Sequence, residues 1–327
     1  MAEEKVKIDK KDRRIIYELW KDCRCTLGEI AKAVGVSKQA LHYRISRLVA
    51  KGAISSFITA INVAKLGYAN HEVWMQLKSL APAKRQEFID YLVKHQNVRL
   101  VASCGGKYDL LLGILAENTF QFNSLFKEIQ LSFPNIIKNH AILISTDFYA
   151  YPRSHLIGKE ERKKPHNILG EPKRIALDRT EIKLLYHIGN NARVPTVELA
   201  KKAGVTATTV RSKMKRLEEE GVIEGYTIQL EHSKIGLENY ELFVSLHDMN
   251  EQKEREIEEY CRSNPYSTYF LRTIGKWDLD VGFDARDGEH FRAMLGEFRD
   301  RFSDVITDYD FVSILSWNKF TYYPFKL

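Results

Sequence analysis

The stretch Thr26–Leu48 reads TLGEIAKAVGVSKQALHYRISRL. Thr26, with Glu29 three residues on, is a capping-box signature ahead of a short apolar-periodic run, Leu27 to Ala33. Gly35 stops that helix, and Ser37 caps the next, which runs to about Ala50 before Gly52 ends it. A short helix, a glycine-bearing turn and a second helix make a helix-turn-helix. Upstream, Ile15, Ile16 and Leu19 are spaced for a first helix over residues 9–20. Downstream, Ala53–Ile61 is rich in Ile, Phe, Thr and Ser and reads as the strand of a wing.

The last helix of this unit carries the chemistry. Leu41, Ile45 and Leu48 share one apolar stripe. The opposite face carries Gln39, His42, Tyr43, Ser46 and Arg47, with Ser37 at its start and Lys38 and Arg44 at its flanks. A major groove admits one helix, and base edges are read there by Arg, Lys, Gln, Asn, Ser and Thr. The face contains no acid, whereas a merely solvated helix face usually mixes signs.

Shifted by 169 positions, the chain overlays itself without gaps. Asp9 meets Asp178, Glu29-Ile30-Ala31 meets Glu198-Leu199-Ala200, and Arg47-Leu48 meets Arg216-Leu217. Far downstream, Gly106-Lys107-Tyr108-Asp109 still meets Gly275-Lys276-Trp277-Asp278. The chain is a duplication. Its second copy predicts helices over Thr180–Ile188, Thr196–Ala203 and Thr206–Glu219, then a strand over Val222–Leu230. Thr206, Thr208, Arg211, Ser212, Lys213, Lys215 and Arg216 are its candidate DNA contacts. The run Glu218–Glu220 would repel phosphate and marks this copy as the weaker reader.

Residues 63–150 alternate strands and helices in the order βαββαβ, and the second copy repeats that order. This is a ferredoxin-like sandwich, so the class is α+β. The divisions follow: winged helix-turn-helix units over residues 1–62 and 173–231, ferredoxin-like regulatory domains over 63–152 and 232–327. A Pro-, Gly- and charge-rich linker spans 153–172, with Lys163-Lys164 read as solvated or as an extra phosphate-contacting arm.

The net charge of +7 is unevenly spread. Residues 1–60 carry +6 and 173–228 carry +4, whereas 229–327 carry −7, so positive charge heads each half. That pattern fits nucleic acid as a partner. No apolar run is long enough for a membrane span, and the acidic start Met1–Lys5 is unlike a secretory leader, so the expected setting is cytoplasmic.

Enzyme signatures are missing. Cys104-Gly105-Gly106-Lys107 lacks the first glycine and the hydroxyl of a phosphate loop. No Gly-x-Ser-x-Gly or His-Glu-x-x-His occurs. Cys23-Arg24-Cys25 is a thiol pair without a matched second pair, which argues against zinc, and the ten histidines show no ligand spacing. Cys104 reads as a small buried residue. The expectation is no cofactor and no metal.

The pattern Asp9…Arg24…Glu29-Ile30-Ala31…Gly35-Val36-Ser37…Arg47-Leu48…Gly52-Ala53-Ile54, followed by Gly106-Lys107-Tyr108-Asp109, resembles the leucine-responsive Lrp/AsnC ("feast/famine") transcription regulators of bacteria and archaea. The second copy resembles them through Asp178, Arg193, Glu198-Leu199-Ala200, Arg216-Leu217 and Gly275-Lys276-Trp277-Asp278. The resemblance implies binding to double-stranded DNA, an amino-acid-like effector, and pairing, here as an intramolecular pseudodimer or as a homo-oligomer. Two different recognition helices then imply an asymmetric, bipartite DNA site. The effector-responsive residues it implies are Gly106, Lys107, Asp109, Gly275, Lys276 and Asp278. The bland reading of those turns is a hairpin in which Gly supplies the positive φ.

The second regulatory strand also carries Asp278, Asp280 and Asp284 where the first has Asp109, Leu111 and Leu115. These acids are expected either to pair with Arg272 across the sheet or to mark a cationic ligand or a basic partner. Two other readings stay open. One is a fused sirohaem-decarboxylase-like enzyme, although neither copy carries the His-x-Tyr-x-Arg-like run expected near Val98–Ser103. The other is an adaptor whose acidic second half recruits a transcription-machinery protein.

Overall fold

The computed structural model describes residues 5–158, 166–170, 173–248 and 250–325. The first half opens with α1 (Lys10–Lys21), α2 (Leu27–Val34), α3 (Lys38–Ala50) and β1 (Ile54–Ile61). Local signals set these boundaries. Asp9 and Asp12 form a capping box on α1, Thr26 and Glu29 another on α2, and Gly35 ends α2 at φ 70°. The regulatory part follows as β2 (Ala69–Leu77), α4 (Pro82–Lys94), β3 (Val98–Gly106), β4 (Leu110–Ala116), α5 (Thr119–Ser132) and β5 (Ile137–Ala150), with the short β6 (His166–Asn167) beyond it. The second half repeats the plan. Its reader unit is α6 (Arg179–Gly189), α7 (Thr196–Ala203), α8 (Ala207–Glu219) and β7 (Ile223–Leu230). Its regulatory part is β8 (Glu238–Leu246), α9 (Glu251–Ser263), β9 (Ser267–Gly275), β10 (Leu279–Ala285), α10 (Gly288–Arg301) and β11 (Ile306–Phe320). Among the described residues, no helix is long and apolar enough to cross a membrane.

The two wings do not stand free. β1 and β7 pair antiparallel, from Ile54 opposite Leu230 to Ile61 opposite Ile223. Backbone bonds at each end repeat the 169-residue offset: Cys23 N donates to Tyr226 O and Ala192 N to Phe57 O, while Asn62 N donates to Val222 O and Glu231 N to Ala53 O. Each wing also feeds the other half's core. Ile228 and Leu230 pack with Ile15, Ile16 and Leu41, whereas Ile58, Ala60 and Ile61 pack with Leu184, Leu199 and Val210. Neither helix-turn-helix completes its apolar core alone.

The regulatory strands close on one another. The order β2-β4-β3-β11-β8-β10-β9-β5 returns to β2 through the β2–β5 pairing, which makes an eight-stranded ring. Closure removes the unpaired edges that a four-stranded sheet exposes. α4 and α5 cover the first half's sheet and α9 and α10 the second's, each pair over its own apolar layer. Trp74, Tyr108, Phe243 and Trp277 fill one end of the ring's interior.

The linker is not all solvated. Ser154 and Leu156 are buried, as are Ile168 and Leu169 beyond β6, which pairs with Tyr149 and Ala150. Lys163-Lys164 lies outside the described residues.

Candidate DNA interface

Ser37 accepts from Ala40 N at 3.1 Å and Thr206 from Thr209 N at 3.1 Å, so both recognition helices, α3 and α8, start on a capped turn. Leu41, Ile45 and Leu48 are buried under α3, and Val210, Met214 and Leu217 under α8, as the stripes require. Ser37, Lys38, Gln39, His42, Tyr43 and Ser46 are exposed on the first reader, with Tyr43 69% exposed. Thr206, Thr208, Arg211, Ser212 and Lys215 are exposed on the second. Lys215 lies 3.6 Å from Glu219, one turn along the same helix.

The remaining four cations sit differently. Arg44 Nη1 lies 2.8 Å from both Asp9 Oδ2 and Asp12 Oδ1, and Arg47 Nη2 lies 2.6 Å from Asp12 Oδ2. In the second half Lys213 Nζ lies 2.6 Å from Asp178 Oδ2 and 3.4 Å from Glu181 Oε1, and Arg216 Nη1 lies 2.5 Å from Glu181 Oε1. Asp12 and Glu181 are buried and also close the capping boxes of α1 and α6. The backbone N–H of Asp12, followed by Arg44, holds the Asp9 carboxyl below its usual value, and Lys213 does the same for Asp178. These residues clamp each reader helix to the start of its unit, and the arginine side chains remain partly exposed.

Arg24 and Arg193 belong to the wing junction. The Arg24 guanidinium lies 5.1 Å from the Tyr226 ring and donates to Ala192 O, while Arg193 lies 5.2 Å from the Phe57 ring. Each therefore stacks on the other half's wing.

The two glycine–lysine turns meet around Trp277. Lys107 lies 5.5 Å and Lys276 4.9 Å from its ring centre, and Lys107 pairs with Asp310. Gly106 and Gly275 have φ of 116° and 149°, and a Cβ on Gly275 would fall 2.4 Å from Ile142 O, so glycine is required there. Asp109 accepts from Leu77 N at 2.8 Å and Asp278 from Leu246 N at 2.7 Å. Both aspartates thus hold the turns to neighbouring strand ends, and Asp278 also lines an open cleft of about 650 Å³ with Glu254 and Arg272.

The expected Arg272–aspartate pairing is not what forms. Arg272 pairs with Glu254 and Glu258 of α9. Asp280 and Asp284 point inward and are buried, 1% and 0% exposed, so the acidity of the second half is partly interior. Asp284 pairs with Arg153, and His232 and His155 approach it at 3.2 and 3.5 Å. Burial would raise that carboxyl, but Arg153 and His232 outweigh it and hold it well below the usual range. Burial pushes His155 down to about 4.

The thiols offer little chemistry. Burial pushes Cys23 up to about 12 and Cys25 up to about 11, the reverse of a reactive or metal-binding thiolate. Among the described residues, no group of three His, Cys, Asp or Glu side chains is placed to hold a metal ion.

A buried polar set escaped the sequence reading: Glu72, Arg99 and Glu241, all inside the ring. The repeated Asn70-x-Glu72 and Asn239-x-Glu241, each placing an acid directly before an apolar run (Val73-Trp74-Met75 and Leu242-Phe243-Val244), were the signal available.

Comparison with known proteins gives a consistent picture. The family described as winged helix-turn-helix DNA-binding matches residues 8–55 and again 177–224. The HTH-type transcriptional regulator FL11 of Pyrococcus abyssi is 31% identical over 140 residues, 43% of this chain and 91% of that protein. The HTH-type transcriptional regulator LrpA of Pyrococcus horikoshii is 33% identical over 114 residues, 35% of this chain and 79% of its own length. Among solved structures, the siroheme decarboxylase NirDL superposes with a TM-score of 0.60 at 12% identity, covering 95% of this chain and 92% of that one. At that identity the likeness is one of fold.

Proposed function

Because the chain belongs to the Lrp/AsnC family of transcription regulators, as a tandem duplication of the family's unit, we propose that it binds double-stranded DNA as an intramolecular pseudodimer and reads a bipartite, asymmetric site. The observation that carries this reading is the pair of exposed, differently composed faces on α3 and α8, joined through one wing sheet. Gln39, His42 and Tyr43 read one half-site, and Thr208, Arg211 and Lys215 the other. Ser37, Lys38, Ser46, Thr206 and Ser212 add phosphate and sugar contacts, with the rims of Arg44, Arg47, Lys213 and Arg216 beside them. Such a site has two unlike halves whose centres lie about 34 Å, one helical turn, apart or a multiple of that.

The test is selection of bound sequences from a random library by the purified chain at moderate salt, since phosphate affinity is salt-dependent. We expect one motif with two unlike halves, one altered by His42→Ala and the other by Arg211→Ala. Binding without an enriched motif would overturn the reading. Arg47 is a poor probe, because removing it also releases Asp12.

An amino-acid-like effector would act at the glycine–lysine turns, with Gly106, Lys107 and Asp109 in one half and Gly275, Lys276 and Asp278 in the other. The cleft beside Asp278 is its point of entry in the second half.

A second reading, an enzyme acting on a tetrapyrrole, draws on the fold shared with NirDL across both halves. Against it stands the size of the chamber between wings and ring, about 100 Å³, where pockets for drug-sized ligands span roughly 300–1,000 Å³. The expected result of adding a tetrapyrrole is no bound absorption spectrum.

A further inference from the structure

That chamber lies across the axis relating the two halves. Its lining pairs residues 169 positions apart: Glu72 with Glu241, Arg153 with Tyr322, and Arg99 with Thr268. At about 100 Å³ it is several times the roughly 10–15 Å³ that one water needs. Its roof is the wing sheet, including Ala60 and Thr227, and its floor is the inner wall of the ring.

The acids and bases inside do not match in number. Arg153 is committed to Asp284. That leaves the carboxyls of Glu72 and Glu241, with Asp280 adjoining them, against Arg99. All four residues are at most 5% exposed. The imbalance has a structural origin. The first half supplies Arg99 alongside Glu72, but the second supplies Thr268 alongside Glu241, and it adds Asp280 where the first half has Leu111. Tyr269 donates to Asp280 at 3.0 Å, and Gly282 makes room for that ring, since a Cβ there would lie 2.3 Å from it. Arg99 Nε donates to Asn70 at 2.7 Å. Glu72 and Asp280 lie within hydrogen-bond reach of each other, yet Glu241 Oε2, Arg99 Nη1 and Thr227 Oγ1 have no hydrogen-bond partner among the described residues. Buried polar atoms left this way are costly, and three on the lining of one cavity point to a guest that completes them.

We propose that the chamber binds a small organic cation bearing a primary ammonium group, seated against Glu241 where the counterpart of the Arg99 guanidinium is missing. The apolar lining, Leu100, Leu111 and Phe320 among it, takes a short alkyl stem. Burial first, and then the neighbouring carboxyls, push Glu241 and Asp280 well above the usual range. An incoming ammonium favours their ionised forms, so binding releases protons.

The test needs no DNA, so its outcome is independent of the DNA reading. The full chain is titrated calorimetrically with butylamine and 1,4-diaminobutane, and with butan-1-ol as the neutral counterpart, at constant ionic strength in two buffers of different ionisation heat. We expect saturable binding of one amine per chain, an apparent heat that differs between the buffers, and none with the alcohol. Glu241→Gln should weaken binding by about thirtyfold or more. Thr268→Arg, which supplies the missing guanidinium from the protein itself, should abolish it. Circular dichroism melting shows that each variant is folded, and should Thr268→Arg not fold, Glu241→Gln decides. No saturable amine binding at millimolar concentration would overturn the proposal. So would equal binding of the alcohol, or undiminished binding by the folded variants.

Discussion

Arg47 and Arg216 stand 169 residues apart and do one thing: each reaches from a reader helix to the buried acid that caps the first helix of its unit. Arg44 and Lys213 match in the same way. The exposed positions between them do not match. Gln39 faces outward where the second half has Thr208, His42 where it has Arg211, Tyr43 where it has Ser212, and Ser46 where it has Lys215. The frame is therefore common to the two halves and the surface it presents is not. A helix clamped at its flanks keeps its orientation whatever stands on its outer face. That lets two copies hold one geometry while presenting different outer faces.

The largest test breaks the frame where the halves interlock. Ile58 belongs to the first wing but packs in the second half's core, and Ile228 does the reverse. Truncating either to Ala should cost about 2–5 kcal/mol in urea denaturation, with loss of signal from both halves together. A change confined to one half would separate the units. The clamps come next. Asp12→Ala and Glu181→Ala should each lose about 2–3 kcal/mol, below the usual figure for breaking a buried pair because the arginines keep access to water. Matching losses would support a common frame.

A third experiment probes where the regulatory halves differ. Asp284 answers Leu115 of the first half, and its partner His155 has its pKa pushed down to about 4. A histidine kept neutral by the fold contributes stability that is full above its unfolded value near 6.5 and lost as pH falls toward 4. The stability gap between wild type and His155→Phe should shrink by about 2 kcal/mol from pH 7 to pH 5. A constant gap would mean that His155 titrates normally. The smallest effects sharpen the comparison at the reading surface. His42→Ala and Arg211→Ala should each relax base preference at a single half-site by about 1–2 kcal/mol, and Lys215→Ala should lower the salt slope of binding by about 1.

Much of this was legible in the chain. Caps and periodicity are local, so Thr26 with Glu29, Ser37 and Gly35 placed the reader helices within a residue or two. The 169-residue offset exposed the duplication, and Lys38, Gln39 and His42 are on the open face as their spacing requires. What stayed hidden depends on contacts between halves. Arg47 counts as an outward cation until Asp12, thirty-five residues earlier, is brought beside it. Asp280 and Asp284 look like surface acids as long as the strand is imagined with one wet face. Ring closure makes that face an interior, and no alternation pattern within one strand reports it.

That closure also changes how pairing depends on abundance. A family unit that must find a partner yields active pairs in proportion to the square of subunit concentration when pairing is weak, and dilution dissolves them. Here both halves arrive on one polypeptide, and the second is always present at the high effective concentration of a tethered neighbour. The amount of paired reader then rises in direct proportion to the number of chains, down to a single molecule. With every strand of the ring already paired within the chain, the ring presents no open edge to a further strand.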